Sequence, residues 1–423
     1  MDLSFVRYFN FVFALIFVVC MSYQFVYIFI PFLKKGRELK AKRMYKYAVL
    51  IPARNEELVI PHLISSIKGQ TYPTELIDIF VIADNCTDNT AKAAMDAGAF
   101  RVIERFNKKQ VGKGYALDYA LNIIKNDYPD NDYQGYFVLD ADNLLDEHYI
   151  EEMNKTFSNG NRIITSYRNT KNYGSSWISA GCSLWYLRES KYLNYPRMLL
   201  DTSCAISGTG FLVHREILEK LGGWKFFLLT EDIEFSIHNV LEGEKIAYCG
   251  TAVLYDEQPV KFSQSWRQRM RWTKGSMQVT QKYFFKMVSA LFKGKGFAFF
   301  DLTATTMLPV ILTVAGLVFY GLIIALAIVL GILGKQIGFN AVVDTAMSSF
   351  LSSYFGLLGM GAITTVTEWS KIFAPMRKKI LYTFTFPFFM LTYIPITLVA
   401  LFSKDVSWKP IYHTQAKGLD DVR

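Results

Sequence analysis

The chain has 423 residues, of which 51% are hydrophobic and 16% aromatic, and its formal net charge is +9. This length can hold one globular domain of about 250 residues plus several membrane spans, and the composition excludes a disordered scaffold. Six basic residues directly follow an apolar segment: Lys34, Lys35, Arg37, Lys40, Lys42 and Arg43. Because that placement is typical of the cytoplasmic flank of a membrane anchor, and no basic-aromatic binding module surrounds it, we expect no nucleic-acid binding.

Residues 9–32 form the first predicted membrane span, since they are apolar apart from Asn10, Ser22, Gln24 and aromatic hydroxyls. Such a stretch can cross a hydrocarbon core of about 30 Å as a helix. A cleaved signal peptide would need a basic start and a small-residue cleavage site, and an uncleaved anchor is therefore favoured. The basic run that follows predicts that the downstream domain is cytoplasmic.

Three more spans are predicted towards the carboxyl terminus, at residues 307–333, 341–366 and 380–402. The last contains Pro387 and Pro395, which predict a kinked, re-entrant or split segment because proline removes a backbone donor. Lysines alternate with Phe and Leu over residues 281–300, which suits either a helix in the membrane interface or an ordinary amphipathic surface helix. The predicted organisation is an anchor with its basic flank (1–43), a cytosolic domain (44–280), an interfacial helix (281–300), a membrane region (301–402) and a tail (403–423).

Strand and helix patterns alternate within the cytosolic domain. Buried strands are predicted at residues 47–51, 77–83, 101–104 and 136–139, and helices at 58–68, after 90 and at 114–125. This alternation predicts an α/β fold with a largely parallel sheet, which binds ligands beyond the carboxyl ends of its strands. The first turn, residues 52–56, reads Pro-Ala-Arg-Asn-Glu and has no glycine-rich fingerprint, which excludes a dehydrogenase and an ordinary P-loop ATPase.

Two acidic motifs lie where such a fold places a site. Asp140 and Asp142 follow the fourth strand, and one or two carboxylates with a substrate diphosphate usually hold magnesium or manganese. An acidic pair in a solvated loop is the alternative. Residues 230–232, Thr-Glu-Asp, precede a helical pattern, so that a carboxylate there can act as a general base. A capping threonine with acidic first-turn residues explains the same pattern, and the residues alone do not separate the two.

Two further motifs suit ligand binding. Residues 268–272 read Gln-Arg-Met-Arg-Trp, in which arginine can clamp a diphosphate and the indole can stack on a sugar ring. A basic-aromatic run beside a bilayer is equally typical of an interfacial anchor. Residues 207–211, Ser-Gly-Thr-Gly-Phe, form a small, flexible stretch that would let an acceptor approach the backbone, or a simple turn.

Taken in order, Asp84, the two acidic motifs, the residues 268–272 motif and the membrane spans resemble the processive members of glycosyltransferase family 2. These include cellulose, chitin, hyaluronan and poly-N-acetylglucosamine synthases. The resemblance covers residues 47–274 in order and spacing. It implies a nucleotide-sugar-binding domain of the GT-A type, with a mostly parallel sheet, inserted between transmembrane helices of the cell membrane.

The resemblance also implies roles for individual residues. The positions expected at the donor nucleotide and diphosphate are Pro52, Ala53, Arg54, Glu56, Asp84, Lys113, Asp140, Gln268, Arg271 and Trp272. The positions expected at the acceptor are Ser207, Gly208, Thr209, Glu231 and Trp272. Asp142 would hold magnesium or manganese, and Asp232 would be the general base. Trp408, His413 and Thr414 loosely resemble a carboxyl-terminal motif that approaches the active site.

The function implied is an inverting transfer from a UDP-sugar onto a growing β-linked glycan at the cytoplasmic face. The partners expected are the UDP-sugar, a glycan or glycolipid acceptor and the lipid bilayer. One alternative is a non-processive transferase that adds a single sugar to a lipid or polyprenyl phosphate. Another is a nucleotide-binding transporter or scaffold, whose spans should carry charges inside the membrane.

Overall fold

The computed structural model describes residues 4–294, 296–332, 339–403 and 418–422. Trp408, His413 and Thr414 lie outside these ranges. The strands are β1 Tyr47–Ala53, β2 Ile77–Asp84, β3 Arg101–Arg105, β4 Gly135–Val138, β5 Leu144–Leu145, β6 Ile163–Thr170, β7 Phe211–His214 and β8 Ile246–Asp256. The helices are α1 Ser4–Met21, α2 Tyr23–Leu33, α3 Ile60–Lys68, α4 Thr90–Asp96, α5 Lys113–Asp127, α6 Tyr149–Ser158, α7 Trp177–Glu189, α8 Tyr195–Leu199, α9 Arg215–Leu221, α10 Glu231–Leu241, α11 Phe262–Phe292, α12 Phe297–Leu302, α13 Leu308–Ile332, α14 Phe339–Thr367, α15 Met376–Leu391 and α16 Tyr393–Phe402.

All eight strands join one sheet in the order β3-β2-β1-β4-β7-β6-β8-β5. The first four are parallel, as the sequence predicts. In the other half β7 runs antiparallel to both β4 and β6, β6 pairs in parallel with β8, and β5 is antiparallel to β8. The sheet is therefore mostly parallel, and the carboxyl ends of β1, β2 and β4 lie at one edge, where ligands bind in such sheets.

The first strand is longer than its apolar run predicts. Pro52 does not end β1, which continues to Ala53 with Pro52 opposite Ile82 of β2. Pairing with β4 stops at Leu50, opposite Val138, so proline lies beyond that ladder and its missing N–H leaves no bond unmade there. This extension carries the Pro-Ala-Arg turn to the edge of the sheet.

Helices cover both faces of the sheet and bury its apolar side chains. One core forms beneath α3, α4 and α6, and the other beneath α5, α7, α9, α10 and α11. Burial of apolar surface stabilises the fold by roughly 25 cal/mol per Å². The mid-strand positions Val49 and Leu50 are both fully buried, one in each core, because neighbouring side chains of a strand point to opposite faces.

Among the described residues, four helical segments are long and apolar enough to cross a membrane: Tyr8–Leu33, Phe297–Ala325, Met347–Thr367 and Met376–Phe402. They correspond to the four spans predicted from the sequence. The last consists of α15 and α16, which meet at Thr392, and Pro387 lies inside α15. The predicted boundary between residues 280 and 281 falls within α11, one continuous helix of 31 residues.

A buried ion pair ties the α/β domain to these helices. Arg197 of α8 contacts Asp301 of α12 at 2.7 Å, and Tyr23 and Tyr27 of α2 donate to the same carboxylate at 2.8 Å each. Helix α7 packs on α15, and α11 packs on α16. Because a buried carboxylate is costly unless it is paired and hydrogen-bonded, this cluster fixes the domain against the apolar helices.

Candidate active site

A cavity of about 530 Å³ opens at the carboxyl ends of β1, β2 and β4, between the start of α10 and the first half of α11. Residues that lie far apart in sequence meet in its wall. The predicted site residues that line it are Pro52, Ala53, Arg54, Glu56, Asp84, Lys113, Asp140, Asp142, Ser207, Gly208, Glu231, Asp232, Gln268, Arg271 and Trp272. Thr209 lies buried beside this wall. The structure thus brings the predicted residues together.

Asp84 ends β2 and is almost fully buried. Its Oδ1 accepts a hydrogen bond from Arg105 Nη1 at 2.6 Å and another from Asn85 Nδ2 at 3.0 Å. Arg105 also donates through Nη2 to the Gln110 carbonyl at 2.8 Å. Arg105 therefore fixes the Asp84 carboxylate and the loop beyond β3 in one arrangement. No motif in the sequence indicates this role.

Lys113 begins α5 and bridges two parts of the wall. Its Nζ donates to Asp140 Oδ1 at 2.5 Å and to the Gly208 carbonyl at 2.8 Å. The next residue must be small, since a Cβ at Gly114 would lie 2.1 Å from the Phe226 carbonyl oxygen. Close packing of α5 against that loop therefore sets the position of the lysine.

Asp142 faces the same cavity one residue beyond Ala141. Its Oδ1 accepts from Asn143 Nδ2 at 3.2 Å, and its Oδ2 accepts from the Glu257 N–H at 3.4 Å. In the part of the chain that the structure describes, no group of three His, Cys, Asp or Glu side chains could hold a metal by itself. A hard cation bound by one or two carboxylates and completed by a substrate diphosphate fits this donor set.

Residues 207–210 form a hydrogen-bonded turn beside the acidic motif, in line with the simpler of the two sequence interpretations. Gly208 and Gly210 have φ angles of +82° and +69°, and a Cβ at Gly210 would lie 1.9 Å from Leu254 Cδ2. Thr209 Oγ1 donates to Asn143 Oδ1 at 2.6 Å and accepts from the Asp140 N–H at 2.8 Å. Glycine supplies the left-handed backbone, and these bonds hold the turn against the acidic motif.

The Glu231 and Asp232 carboxyls lie together at the start of α10. Asp232 Oδ2 accepts from the Gly208 N–H at 2.6 Å. Thr230 occupies the N-cap position and Glu231 and Asp232 lie in the first turn of α10, as the capping interpretation predicts. The Thr230 side chain makes no cap hydrogen bond, however, and its buried Oγ1 has no partner among the described residues. Burial and the adjacent Asp232 carboxylate raise the pKa of Glu231 to about 7. Burial also raises the pKa of Asp232. Three groups oppose this shift: the Ile233 N–H, the Lys113 ammonium and the Gly208 N–H.

Helix α11 presents Gln268, Arg271 and Trp272 to the cavity, because residues three and four apart share a helix face. The remaining arginine of the motif, Arg269, points to the other side and is fully buried. It donates to the Phe389 carbonyl at 3.0 Å and to Thr392 Oγ1 at 2.6 Å, where α15 and α16 meet. One motif thus contributes to the cavity and to the junction with the apolar helices.

A sequence profile described as "Glycosyltransferase like family 2" matches residues 45–275, which is more than half of the chain. The chain belongs to glycosyltransferase family 2. It is therefore an enzyme, a glycosyltransferase, and the alternative of a transporter or scaffold is set aside.

Curated relatives of this family 2 transferase include proteins of several kinds. It is 27% identical over 273 residues to a probable glycosyltransferase, YdaM, of Bacillus subtilis, covering 60% of this chain and 61% of that one. It is 25% identical over 242 residues to a beta-monoglucosyldiacylglycerol synthase of Nostoc sp., covering 55% and 49%. It is 25% identical over 243 residues to a poly-beta-1,6-N-acetyl-D-glucosamine synthase of Staphylococcus epidermidis, covering 56% of each. The matched segments span about half to three fifths of these relatives.

Among solved structures, the family 2 chain is similar to the mannosyltransferase PcManGT of Pyrobaculum calidifontis, determined in complex with GDP-Man and Mn²⁺. The TM-score is 0.53 at 16% sequence identity, and the match covers 93% of this chain and 100% of that chain. At 16% identity this similarity shows a shared fold alone. The predicted fold class, a GT-A-like domain with a mostly parallel sheet, is confirmed.

Several residues in the wall of this transferase's cavity escaped the sequence analysis. They are Arg168 and Asp256 at the ends of β6 and β8, and Trp185 and Tyr186 on α7. Each belongs to a strand or helix that carries no recognisable motif, and their partners lie far away along the chain. Arg168 lies near the carboxyl end of β6, and no motif in the sequence distinguishes it from other strand residues.

Proposed function

We propose that this glycosyltransferase is an inverting membrane enzyme that moves a sugar from a nucleotide sugar, with a UDP-sugar as the expected donor, onto a growing β-linked glycan. The observation that supports it is the convergence of Asp142, Asp232 and Arg271 on one cavity. A cation-binding carboxylate, a basic clamp and a candidate base are the three elements that transfer from a sugar diphosphate requires.

The donor would lie along the β1 and β2 edge of the cavity, with its nucleotide near Asp84 and the residues 52–56 turn. Lys113 and Arg271 bring positive charge to the place expected for the diphosphate. Asp142, with Asp140 beside it, would hold magnesium or manganese. A divalent cation bound there would offset the charge that the diphosphate gains as it leaves.

Asp232 would take the proton from the acceptor hydroxyl. Its Oδ2 is fixed by the Gly208 N–H, and a general base needs such a fixed position within hydrogen-bond reach of the proton. The acceptor oxygen would attack the anomeric carbon from the face opposite the leaving nucleotide. An α-linked donor then gives a β-linked product. Trp272 and the 207–209 turn line the side on which the acceptor would bind.

The cavity borders the predicted membrane region, which supports an acceptor held at the bilayer. Helices α7 and α11, which contribute to its wall, pack on α15 and α16. The basic flank of residues 34–43 favours a cytoplasmic catalytic domain in a multi-pass cell-membrane protein. We propose that orientation because nucleotide sugars are then supplied from the cytosol.

The alternative acceptor is a lipid or polyprenyl phosphate that receives one sugar. The comparisons support it as much as the polymerising enzyme, since a beta-monoglucosyldiacylglycerol synthase and a poly-beta-1,6-N-acetyl-D-glucosamine synthase are both 25% identical to the chain. The length of the product separates the two. A ladder of chain lengths supports the processive enzyme, and a single added sugar supports the alternative.

The function can be tested with the purified full-length protein in detergent. It is incubated with a panel of UDP-sugars and with GDP-mannose, in the presence of magnesium, manganese or EDTA, and release of the nucleoside diphosphate is measured. We expect one donor to be strongly preferred and activity to require a divalent cation. Nucleotide release from none of the donors, with or without a membrane extract as the acceptor source, would overturn the proposal.

The stereochemistry needs its own measurement. With the preferred donor, the anomeric configuration of the new linkage is read from proton NMR coupling constants of the product. A β-linkage from an α-linked donor is expected. An α-linkage would show retention and contradict the role proposed for Asp232, even if transfer itself is efficient.

A further inference from the structure

Two successive peptide groups in the cavity wall are held by three charged side chains. The Ser207 carbonyl accepts from Arg168 Nη1 at 2.7 Å, and the following Gly208 N–H donates to Asp232 Oδ2 at 2.6 Å. The next carbonyl, that of Gly208, accepts from Lys113 Nζ at 2.8 Å. The candidate base and two cations therefore share a stretch of backbone only two residues long.

Arg168 is itself fixed on several sides. Its Nε donates to Asp256 Oδ2 at 2.6 Å, and its Nη2 contacts the same oxygen. The guanidinium carbon lies 3.7 Å from the centre of the Tyr186 ring, and Gln258 Nε2 donates to Asp256 at 2.7 Å. Arginine is suited to this place because its planar group can stack and donate in several directions at once. Its position is therefore set by β8 and α7 and does not depend on the turn that it holds.

The Ser207 carbonyl and the Gly208 N–H belong to the same planar peptide and point in opposite directions. A donor that fixes the oxygen therefore fixes the direction of the N–H. Gly208 has a φ of +82° and no side chain to resist rotation of this peptide. The Thr209 N–H also donates to the Ser207 carbonyl, at 3.1 Å. Without Arg168 this longer contact alone would hold the oxygen, and the unit could turn so that its N–H leaves the carboxylate.

We infer that Arg168 is a positioning residue, which holds the Ser207–Gly208 peptide so that its N–H orients the proposed base, Asp232. The inference rests on the proposed function. It adds to the site a residue, Arg168, that lies outside the family 2 motifs found in the sequence. Arg168 acts through the peptide and not on the substrate. Its removal should therefore slow the chemical step more than it weakens donor binding.

A pH profile distinguishes this role from simple structural support. The Gly208 N–H favours the ionised form of Asp232, so that loss of the bond raises the pKa of that carboxyl. The other charged groups that face the Glu231 and Asp232 pair are Lys113 and Arg271, and Arg168 substitutions leave both in place. Because the base works only when it is ionised, the acidic limb of the rate profile should move to higher pH.

The experiment compares Arg168→Met and Arg168→Lys with a matched control, Arg162→Met. Arg162 precedes the same strand at its other end and pairs with Glu216 and Glu244 outside the cavity. In the full-length enzyme with its preferred donor, we expect Arg168→Met to lower kcat by about 10-fold to 100-fold. The acidic limb of the pH–rate profile of Arg168→Met should move to higher pH by about half a unit or more. The KM for the donor should change by less than about twofold. Arg168→Lys should show a smaller shift in the same direction, and Arg162→Met none.

With an active wild type, two results would overturn the inference. One is a folded Arg168 variant, checked by thermal unfolding and donor binding, whose kcat and pH profile match those of the wild type. The other is a reduced rate with an unmoved acidic limb, which would show structural support only. If Arg168→Met does not fold, Arg168→Lys decides in the same way, because it keeps a cation beside Asp256. A wild-type protein without transfer activity would overturn the proposed function as well as this inference, whereas an active wild type isolates the inference.

Discussion

Two acidic pairs line the cavity, and they are built differently. Asp140 and Asp142 follow a strand, and Asp140 is bound by a lysine while 40% of its side chain is exposed. Glu231 and Asp232 are neighbours at the start of a helix, where burial raises the pKa of both carboxyls and the Asp232 carboxylate raises that of Glu231 further. In the first pair Asp140 forms a direct ion pair with Lys113, whereas at the second pair burial dominates over the nearby Lys113 and Arg271.

This difference assigns different chemistry to residues of the same type. Open carboxylates beside a lysine suit the binding of a cation and a diphosphate, which need full negative charge. Enclosed carboxyls with raised pKa values suit proton transfer near neutral pH, because a base works best when its pKa lies near the operating pH. The predictions that follow test whether the two pairs can be separated by experiment.

The largest effect is expected from Asp232→Asn. The amide keeps the shape of the side chain but cannot accept the acceptor proton, so transfer should fall by about 10²-fold to 10⁴-fold while donor affinity is kept. Product formation and donor binding by calorimetry measure the two quantities separately. Asp118→Asn, which removes a surface partner of Lys225, is the matched control. Normal transfer by Asp232→Asn would remove this residue from the mechanism.

The other pair should respond differently. Asp142→Asn is expected to weaken donor binding and transfer together, by at least about tenfold, because it removes a charged ligand from the proposed cation site. Manganese should tighten donor binding to the wild type and much less to the variant, as a titration with and without the metal would show. Asp130→Asn on the surface serves as the control. Unchanged donor affinity and unchanged metal dependence would place the cation elsewhere.

The sequence predicts those parts of the site whose residues lie close together along the chain. Apolar runs followed by acidic residues indicate β2 and β4, and the spacing of Gln268, Arg271 and Trp272 indicates one helix face. Arg168 could not be predicted, because its partners Ser207 and Asp256 follow 39 and 88 positions later and are brought to it by the pairing of β6 with β7 and with β8. The continuity of α11 was missed for a similar reason. Its second half looks amphipathic in isolation, although Tyr283 and Met287 are buried in the domain core.

A smaller, graded effect is expected from pH. Because the pKa of Glu231 is raised to about 7 and that of Asp232 is raised by burial, the pair takes up protons as the pH falls through this region. Transfer should then decline by up to about tenfold for each pH unit below the limb. Profiles of kcat/KM between pH 5 and 9 measure it, and Glu231→Gln should abolish the part of the decline near pH 7, because Glu231 takes up its proton in that range. A flat profile over this range would contradict the environment described for the pair.

The smallest effect concerns stability. A carboxyl whose pKa is higher in the folded protein than in the unfolded chain binds its proton more tightly when folded. Its contribution to stability is fully present below the unfolded value of about 4.3 and is lost as the pH rises through about 7. Glu231→Gln cannot ionise, so it should raise the melting temperature by about 2–4 °C at pH 8 and by much less at pH 5. Thermal unfolding at the two pH values, with exposed Glu219→Gln as the control, tests this, and an equal shift at both would show that the gain does not come from the proton.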